Sequence, residues 1–312
     1  MRTVLLTSLL LAVPWGTGLS AADDAVRFDI VYKTTDQGPL ALDLHYPEVP
    51  QRGKTYPLVV FTHGGGWVTG DKTIGDRGVR YLGVKALNEA GFCVASVDYR
   101  LWKQGSSTTI RDCVIDAKDA LRFLVLHAAD YGVDADHVFS FGDSAGGQIA
   151  QMLLLTPPEA LPGDPALAAA RYRMIAGVSW YGPCDFENAE LFNPDGRANF
   201  RDRFGPRILK GGESAGERLA AYREVSPVNH LKPNSPPLLM MQGDQDTTIP
   251  VHQARYMKKR ADEIGAAVEL RIVENSGHNW REATGALKPT LAEIVAETAD
   301  FMKRQLRARL TR

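Results

Sequence analysis

Cysteine is scarce in this chain. Three residues, Cys93, Cys113 and Cys184, stand among 312. An odd count excludes a fully paired disulfide framework, and no spacing of cysteine and histidine fits a structural zinc site. Cys93 falls in an apolar run and reads as a small buried residue, whereas a Cys113–Cys184 bond is compatible with the sequence but not specified by it. Charge of either sign is not in excess: 36 basic and 37 acidic side chains leave a net −1, which gives no basis for nucleic acid or an anionic membrane surface as a partner. Long hydrophobic runs are also missing. The one candidate, residues 4–13, is too short to span a bilayer comfortably. It follows Met1-Arg2 and precedes Ser20-Ala21-Ala22, so residues 1–22 read as a secretory signal. A secreted or periplasmic protein with no stable membrane insertion after cleavage is expected. There are no internal repeats and no low-complexity tracts, and nothing fixes an oligomeric state.

What is present is a chain of alternating strand and helix patterns. Residues 26–33 and 40–46 alternate in strand fashion around Gln37-Gly38-Pro39 and read as an antiparallel pair. Residues 58–62, 92–98, 137–141, 174–181, 237–242 and 268–273 are short, mostly apolar runs, as strands buried on both faces should be. A helix is expected over 110–131, ended by Gly132, another over 145–155, and a last one starting with the capping-box spacing of Thr290 and Glu293. Strands separated by helices predict an α/β domain over 23–312, with about eight strands in a mostly parallel sheet and helices on both faces. Residues 184–236 interrupt the pattern. They are polar and arginine-rich, with one expected helix at 215–225, and read as a lid-like insertion.

The chemistry centres on Phe141-Gly142-Asp143-Ser144-Ala145-Gly146-Gly147, between an apolar strand pattern and an apolar helix pattern. A sharp turn there crowds the serine against the residues two before and two after it, and both are glycine. A serine hydroxyl needs a base, an acid to orient the base, and donors for the oxyanion. His278, on the loop after strand 268–273, is the candidate base. His45, His127, His137, His230 and His252 are less well placed. Asp246, on the loop after strand 237–242, is the candidate acid, with Asp244 as its competitor. A carboxylate farther out on the loop has more reach, and either aspartate can instead cap a turn. The oxyanion donors are expected from the Ala145 N–H and from His63-Gly64-Gly65-Gly66-Trp67, where Gly64 and Gly65 are the candidates. That glycine run lacks the lysine and hydroxyl of a phosphate-binding loop, and no metal or organic cofactor is required.

These landmarks resemble the α/β-hydrolase superfamily, and within it the esterase/lipase group with an HGGGW-type oxyanion loop, the hormone-sensitive-lipase-like and bacterial carboxylesterase relatives. His63 to Trp67, Val97-Asp98-Tyr99-Arg100-Leu101, the Ser144 motif, Asp246-Thr247-Thr248-Ile249-Pro250 and Gly277-His278 carry the resemblance in the order serine, acid, histidine. The continuation Val68-Thr69-Gly70-Asp71-Lys72 resembles secreted esterases that remove acetyl or feruloyl groups from plant polysaccharides. The family's long N-terminal helical cap has no counterpart here. The resemblance implies a serine esterase acting through an acyl-enzyme on a small-molecule or polysaccharide-linked ester. The same machinery also suits a peptidase or an aryl-formamidase, and the fold suits a catalytically silent binding protein. Arg197, Arg201, Arg203 and Arg207 in the insertion are candidate contacts for an acidic sugar, and Trp67 and Trp280 for a ring, each set against the alternative of solvated or core packing.

Overall fold

The computed structural model describes residues 25–196 and 202–311. The segment 1–22, read as a signal, lies outside them, as do Arg197 and Arg201. Eight strands form one sheet: β1 (Val26–Thr35), β2 (Gly38–His45), β3 (Tyr56–Thr62), β4 (Cys93–Val97), β5 (Val133–Asp143), β6 (Met174–Trp180), β7 (Leu238–Gly243) and β8 (Val268–Val273), in the order β1-β2-β4-β3-β5-β6-β7-β8. β1 and β2 pair antiparallel, β2 runs antiparallel to β4, and the remaining pairs are parallel. The helices are α1 (Val79–Glu89), α2 (Ile110–Leu126), α3 (Ala128–Tyr131), α4 (Ala145–Leu155), α5 (Gly205–Ile208), α6 (Ala215–Val225), α7 (Val251–Ile264) and α8 (Leu291–Leu310). This is the α/β-hydrolase arrangement.

Strand periodicity divides the core into two layers. On β3, Leu58 and Val60 join the cluster under α2 and α4, while Val59 and Phe61 join the cluster under α1 and α8. On β7, Leu238 and Met240 face one way, Leu239 and Met241 the other. Both faces of the parallel strands are therefore apolar, which is why these segments read as continuous runs rather than alternating ones. All parallel strands end at one rim, and the loops that follow β3, β5, β7 and β8 meet there.

The helix expected over 110–131 is two helices. The backbone leaves helical geometry at His127, whose Nδ1 lies 2.9 Å from the Phe123 carbonyl oxygen, and the chain resumes as α3 until Gly132 caps it with φ 60°. α2 also buries charge. Asp116 accepts from Arg100 Nε at 2.7 Å and from Lys33 Nζ at 2.8 Å, and Asp119 accepts from Lys33 Nζ and from Arg122 Nη1 at 2.9 Å. Each carboxylate is matched by cations and hydrogen bonds, which keeps its burial tolerable. The cysteines are all buried and free. Cys113 Sγ donates to the Arg100 carbonyl at 3.1 Å and Cys184 Sγ to the Gln253 carbonyl at 3.0 Å, so the pairing left open by the sequence is not made.

The insertion between β6 and β7 carries α5 and α6, and its first part is anchored. Phe186, Phe192 and Phe204 are 2–3 % exposed, and Trp67 packs edge-on against Phe186 and Phe204 with centroids 5.7 and 5.6 Å away. Burying three phenylalanines contributes roughly 1.5–3 kcal/mol each, so this segment is packed over the site end of the sheet. α6 has only Val225 buried and stands at the surface, capped by Ser214 and Glu217.

Candidate active site

Ser144 sits between the end of β5 and the start of α4 with φ 54° and ψ −118°. A non-glycine residue held there is strained, and the surroundings enforce it. Its N–H donates to the Trp180 carbonyl at 2.8 Å. A Cβ at Gly142 would stand 2.2 Å from the Gly146 carbonyl oxygen, and one at Gly146 would stand 1.9 Å from that of Thr62. No larger residue fits at either position. The two glycines thus let β5 turn directly into α4 while the serine stays clear of both.

The structure brings Ser144, His278 and Asp246 together. His278 Nε2 is 2.9 Å from Ser144 Oγ, and His278 Nδ1 is 2.7 Å from Asp246 Oδ2. Asp246 is buried and its remaining acceptor capacity is spent. Oδ1 accepts from the Thr248 and Ile249 N–H groups at 2.8 and 2.9 Å, and Oδ2 also accepts from Gln242 Nε2 at 2.9 Å. A carboxylate so held is an acceptor toward Nδ1, which leaves Nε2 without a hydrogen and directed at the serine hydroxyl. Asp244 does something else. Its Oδ1 accepts the Ser276 N–H at 3.2 Å and steadies the loop that carries His278. Tyr181 packs against the imidazole with centroids 4.8 Å apart.

The oxyanion side differs from the expectation in one residue. The Gly64 N–H is already donated to Asp143 Oδ1 at 2.9 Å, so it does not face the cleft. Gly65 and Gly66 follow with φ 126° and 62° and line the cleft beside Ser144. Among the described residues their N–H groups meet no acceptor, and that of Ala145, the first residue of α4, has none within its helix. The donors available to a developing oxyanion are those of Gly65, Gly66 and Ala145. The sequence points to Gly64 rather than Gly66, because nothing in a run of three glycines tells which N–H is consumed by a neighbour.

The loop is held from behind. His63 stacks on Tyr99 with rings 4.2 Å apart and 11° from parallel, and Tyr99 Oη donates to the His63 carbonyl at 2.6 Å. With that proton committed, His63 Nδ1 must carry the hydrogen that reaches the Gly64 carbonyl at 2.8 Å. Burial pushes His63 down to about 4, so the ring is neutral. This accounts for the Asp98-Tyr99 motif. Asp98 Oδ1 accepts the Lys72 N–H at 2.8 Å, and Lys72 Nζ pairs with Asp43 at 2.8 Å, which pins the far end of the same loop.

Asp143 is buried, and burial raises its carboxyl, opposed by Arg80, whose Nε lies 3.2 Å from Oδ1. Arg80 comes from α1 and carries no local sequence signal. Trp67 and Trp280 are 1 % and 5 % exposed and belong to the core, not to a stacking platform. Trp67 Nε1 donates to Gln148 Oε1 at 3.2 Å, which ties the oxyanion loop to α4. The cleft over Ser144 measures about 400 Å³ and is lined by Arg203, Phe204 and Arg207 from the insertion together with Thr248, Ile249 and Asn279. A larger cleft of about 670 Å³ beside β2 and α1 contains no nucleophile–base pair. Among the described residues no group of three His, Cys, Asp or Glu side chains is placed to hold a metal ion, and no helix is long and apolar enough to cross a membrane.

Residues 42–261 match the model of the family described as BD-FAE. A probable carboxylic ester hydrolase of Mycobacterium tuberculosis, LipM, is 31% identical over 203 residues, covering 64% of this chain and 44% of its own length. The chain spans about half the length of the curated relatives it matches. Among solved structures, a truncated carbohydrate esterase from gut microbiota superposes with TM-score 0.71 at 20% identity over 90% of this chain and 95% of that one. The thermophilic esterase Est2 of the planctomycete Thermogutta terrifontis gives TM-score 0.67 at 25% identity over 87% and 89%.

Proposed function

The chain belongs to the BD-FAE family, and we propose that it is a serine carboxylic ester hydrolase. The observation that carries the reading is the chain of contacts from Asp246 through His278 to Ser144, in a cleft lined by Gly65 and Gly66 and next to the Ala145 N–H at the start of α4. An ester bound with its carbonyl oxygen toward Gly65, Gly66 and Ala145 presents its carbon to Ser144 Oγ. His278 Nε2 takes the hydroxyl proton as the C–O bond forms. Asp246 stabilises the resulting imidazolium, and the three N–H groups receive the oxyanion. Collapse expels the alcohol, which takes its proton from His278, and leaves the acyl group on Ser144. Water, deprotonated by the same imidazole, then releases the acid. Every step uses side chains and amides already in position, so the reading needs no cofactor. Relatives named as a probable carboxylic ester hydrolase and as esterases support the same reaction class.

The narrower form of the reading is a secreted enzyme acting on acetyl or feruloyl esters of plant polysaccharides. Its supports are the leader-like start of the sequence and the Trp67 to Lys72 stretch. The test is a hydrolysis panel: 4-nitrophenyl esters of increasing acyl length, acetylated xylan, and methyl ferulate, with Ser144→Ala as control. Turnover of at least the short-chain esters, lost by about 10⁴-fold or more in Ser144→Ala, is expected. Turnover that survives in the variant contradicts the assignment.

A further inference from the structure

Three arginines line the cleft over Ser144, and they differ in what balances them. Arg80 is matched by Asp143, with contacts at 3.2 and 3.4 Å, and its Nη2 also reaches the Gly64 carbonyl at 3.3 Å. Arg203 and Arg207 come from the insertion, on either side of Phe204. Among the described residues neither has a carboxylate within ion-pair distance. Arg203 Nη1 donates only to the Thr248 carbonyl at 3.1 Å. Both guanidinium groups lie against the Phe204 ring, at 5.1 and 5.5 Å from its centroid, and Arg207 also lies 6.0 Å from that of Trp102.

Arg207 is half-buried. Withdrawal from water and, after it, the charge of Arg203 both act against its protonated form. Two like charges held side by side, one partly desolvated and neither paired, cost free energy that contact with an aromatic face offsets only in part. Elsewhere in this protein Lys33, Arg100 and Arg122 each meet a carboxylate, and the buried Lys118 is held by the Thr156 hydroxyl and the Pro157 carbonyl. Two neighbouring cations without a carboxylate partner occur at the cleft. Its position is specific, since a Cβ built on Gly66 would stand 3.7 Å from Arg207 Nη1. The guanidinium therefore lies beside the loop that carries the candidate oxyanion donors Gly65 and Gly66.

We propose that Arg207, with Arg203 beside it, is a carboxylate-recognition site, and that the substrates of this cleft are esters bearing an anionic carboxylate close to the scissile carbonyl. The chemistry fits an esterified uronic acid, with the carboxylate on the alcohol side, or a half-ester of a dicarboxylic acid, with it on the acyl side. A planar guanidinium takes a carboxylate through two parallel hydrogen bonds, and the bound anion supplies the counter-charge the free cleft lacks. The inference rests on the ester-hydrolase reading of the same site.

The experiment compares kcat/KM for two matched pairs: 4-acetoxybenzoate against 4-acetoxybenzamide, and 4-nitrophenyl hydrogen glutarate against 4-nitrophenyl pentanoate. The first pair puts the carboxylate on the alcohol side, the second on the acyl side. The wild-type enzyme is expected to favour the anionic member of at least one pair by about tenfold or more, the usual worth of a charge-assisted hydrogen bond. Arg207→Gln should lower that ratio about tenfold, Arg207→Lys should restore part of it, and about 0.5 M salt should compress it in the wild type. Thermal melts accompany the kinetics because Arg207 packs on Phe204, and Arg203→Gln, at an exposed position, gives a second variant whose ratio should also fall. A wild-type ratio near one in both pairs, or a preference unchanged in both glutamine variants, overturns the proposal while leaving the esterase reading in place. Failure to turn over any of the four substrates counts against both.

Discussion

Asp143 Oδ1 accepts the Gly64 N–H at 2.9 Å. This single bond joins the residue before the nucleophile to the first glycine of the oxyanion loop, so the two halves of the site are set against each other by a direct contact. Gly64 has no room for a side chain, as a Cβ there would meet Asp143 Oδ2 at 2.6 Å. The bond also explains why Gly64 is a spacer and Gly65 and Gly66 are the residues facing the cleft.

Asp143→Ala is expected to loosen that register. Loss of one oxyanion donor outright costs about 10²–10³ in kcat, which bounds the effect from above, so a fall of about tenfold or more is expected. Asp143→Asn keeps an acceptor for Gly64 but gives up the charge facing Arg80, and should retain more activity than the alanine variant. Steady-state kinetics of the two variants, with melts to confirm folding, checks the order. Equal losses would mean the charge, not the bond to Gly64, matters.

Gly65 and Gly66 should respond differently to alanine. At Gly65 the backbone has φ 126° and a Cβ would stand 1.9 Å from the Thr69 carbonyl oxygen, so the loop must move. At Gly66 φ is 62° and the nearest atom is 3.7 Å away. Gly65→Ala is expected to lose about a hundredfold or more in kcat/KM. Gly66→Ala carries only the left-handed backbone cost of about 1–2 kcal/mol, visible as a lower melting temperature. A Gly65→Ala variant as active as Gly66→Ala would contradict the loop geometry.

Asp246 and Asp244 make a second informative pair. Asp246→Asn disturbs the tautomer of His278 and is expected to lower kcat about 10²–10⁴-fold with the fold retained. Asp244→Asn keeps an oxygen for the Ser276 N–H and should stay within a few-fold of wild type. Kinetics on 4-nitrophenyl acetate reads both, and a larger loss in the Asp244 variant would reverse the assignment.

Lys118 gives a pH prediction for stability. It is fully buried on α2, and its Nζ donates to Thr156 Oγ1 at 2.8 Å and the Pro157 carbonyl at 2.9 Å. Burial, with Arg122 nearby, pulls it down to about 7 from 10.5. Between those values the unfolded chain holds a proton that the folded chain has lost, so this residue makes stability rise with pH across that window. Below it both states are protonated and the cost of the buried charge is present in full. From pH 7 to 9 the contribution is about 2 kcal/mol. Lys118→Met should flatten this rise in denaturant-unfolding midpoints at the two pH values; an equally steep rise in the variant would contradict it.

Much of this was legible beforehand because it depends on local pattern. The parallel strands read as apolar runs because both faces are covered, and the glycines at 142 and 146 stand two residues either side of the serine, where the turn and the neighbouring end of β3 leave no room for a side chain. Ser144, Asp246 and His278 could be located because each follows a strand whose end lies on the same rim. What was not legible depends on contacts between distant segments. Arg80 reaches Asp143 from a helix the sequence pattern did not single out. Gly64 is consumed by a carboxylate 79 positions later. Trp67 reads as a candidate stacking surface in the sequence, whereas phenylalanines of the distant insertion bury it. The insertion looked like a lid by composition, but its buried residues are spaced too irregularly to reveal its anchoring.

The most direct measurement is covalent labelling of the wild-type protein by a fluorophosphonate, followed by peptide mass spectrometry, with Ser144→Ala and His278→Ala treated in parallel. Activation of the Ser144 hydroxyl by His278 predicts a stoichiometric adduct on the peptide containing Ser144, none in the serine variant, and labelling slowed by orders of magnitude in the histidine variant. An unlabelled wild-type protein, or an adduct that forms equally fast without His278, would contradict it.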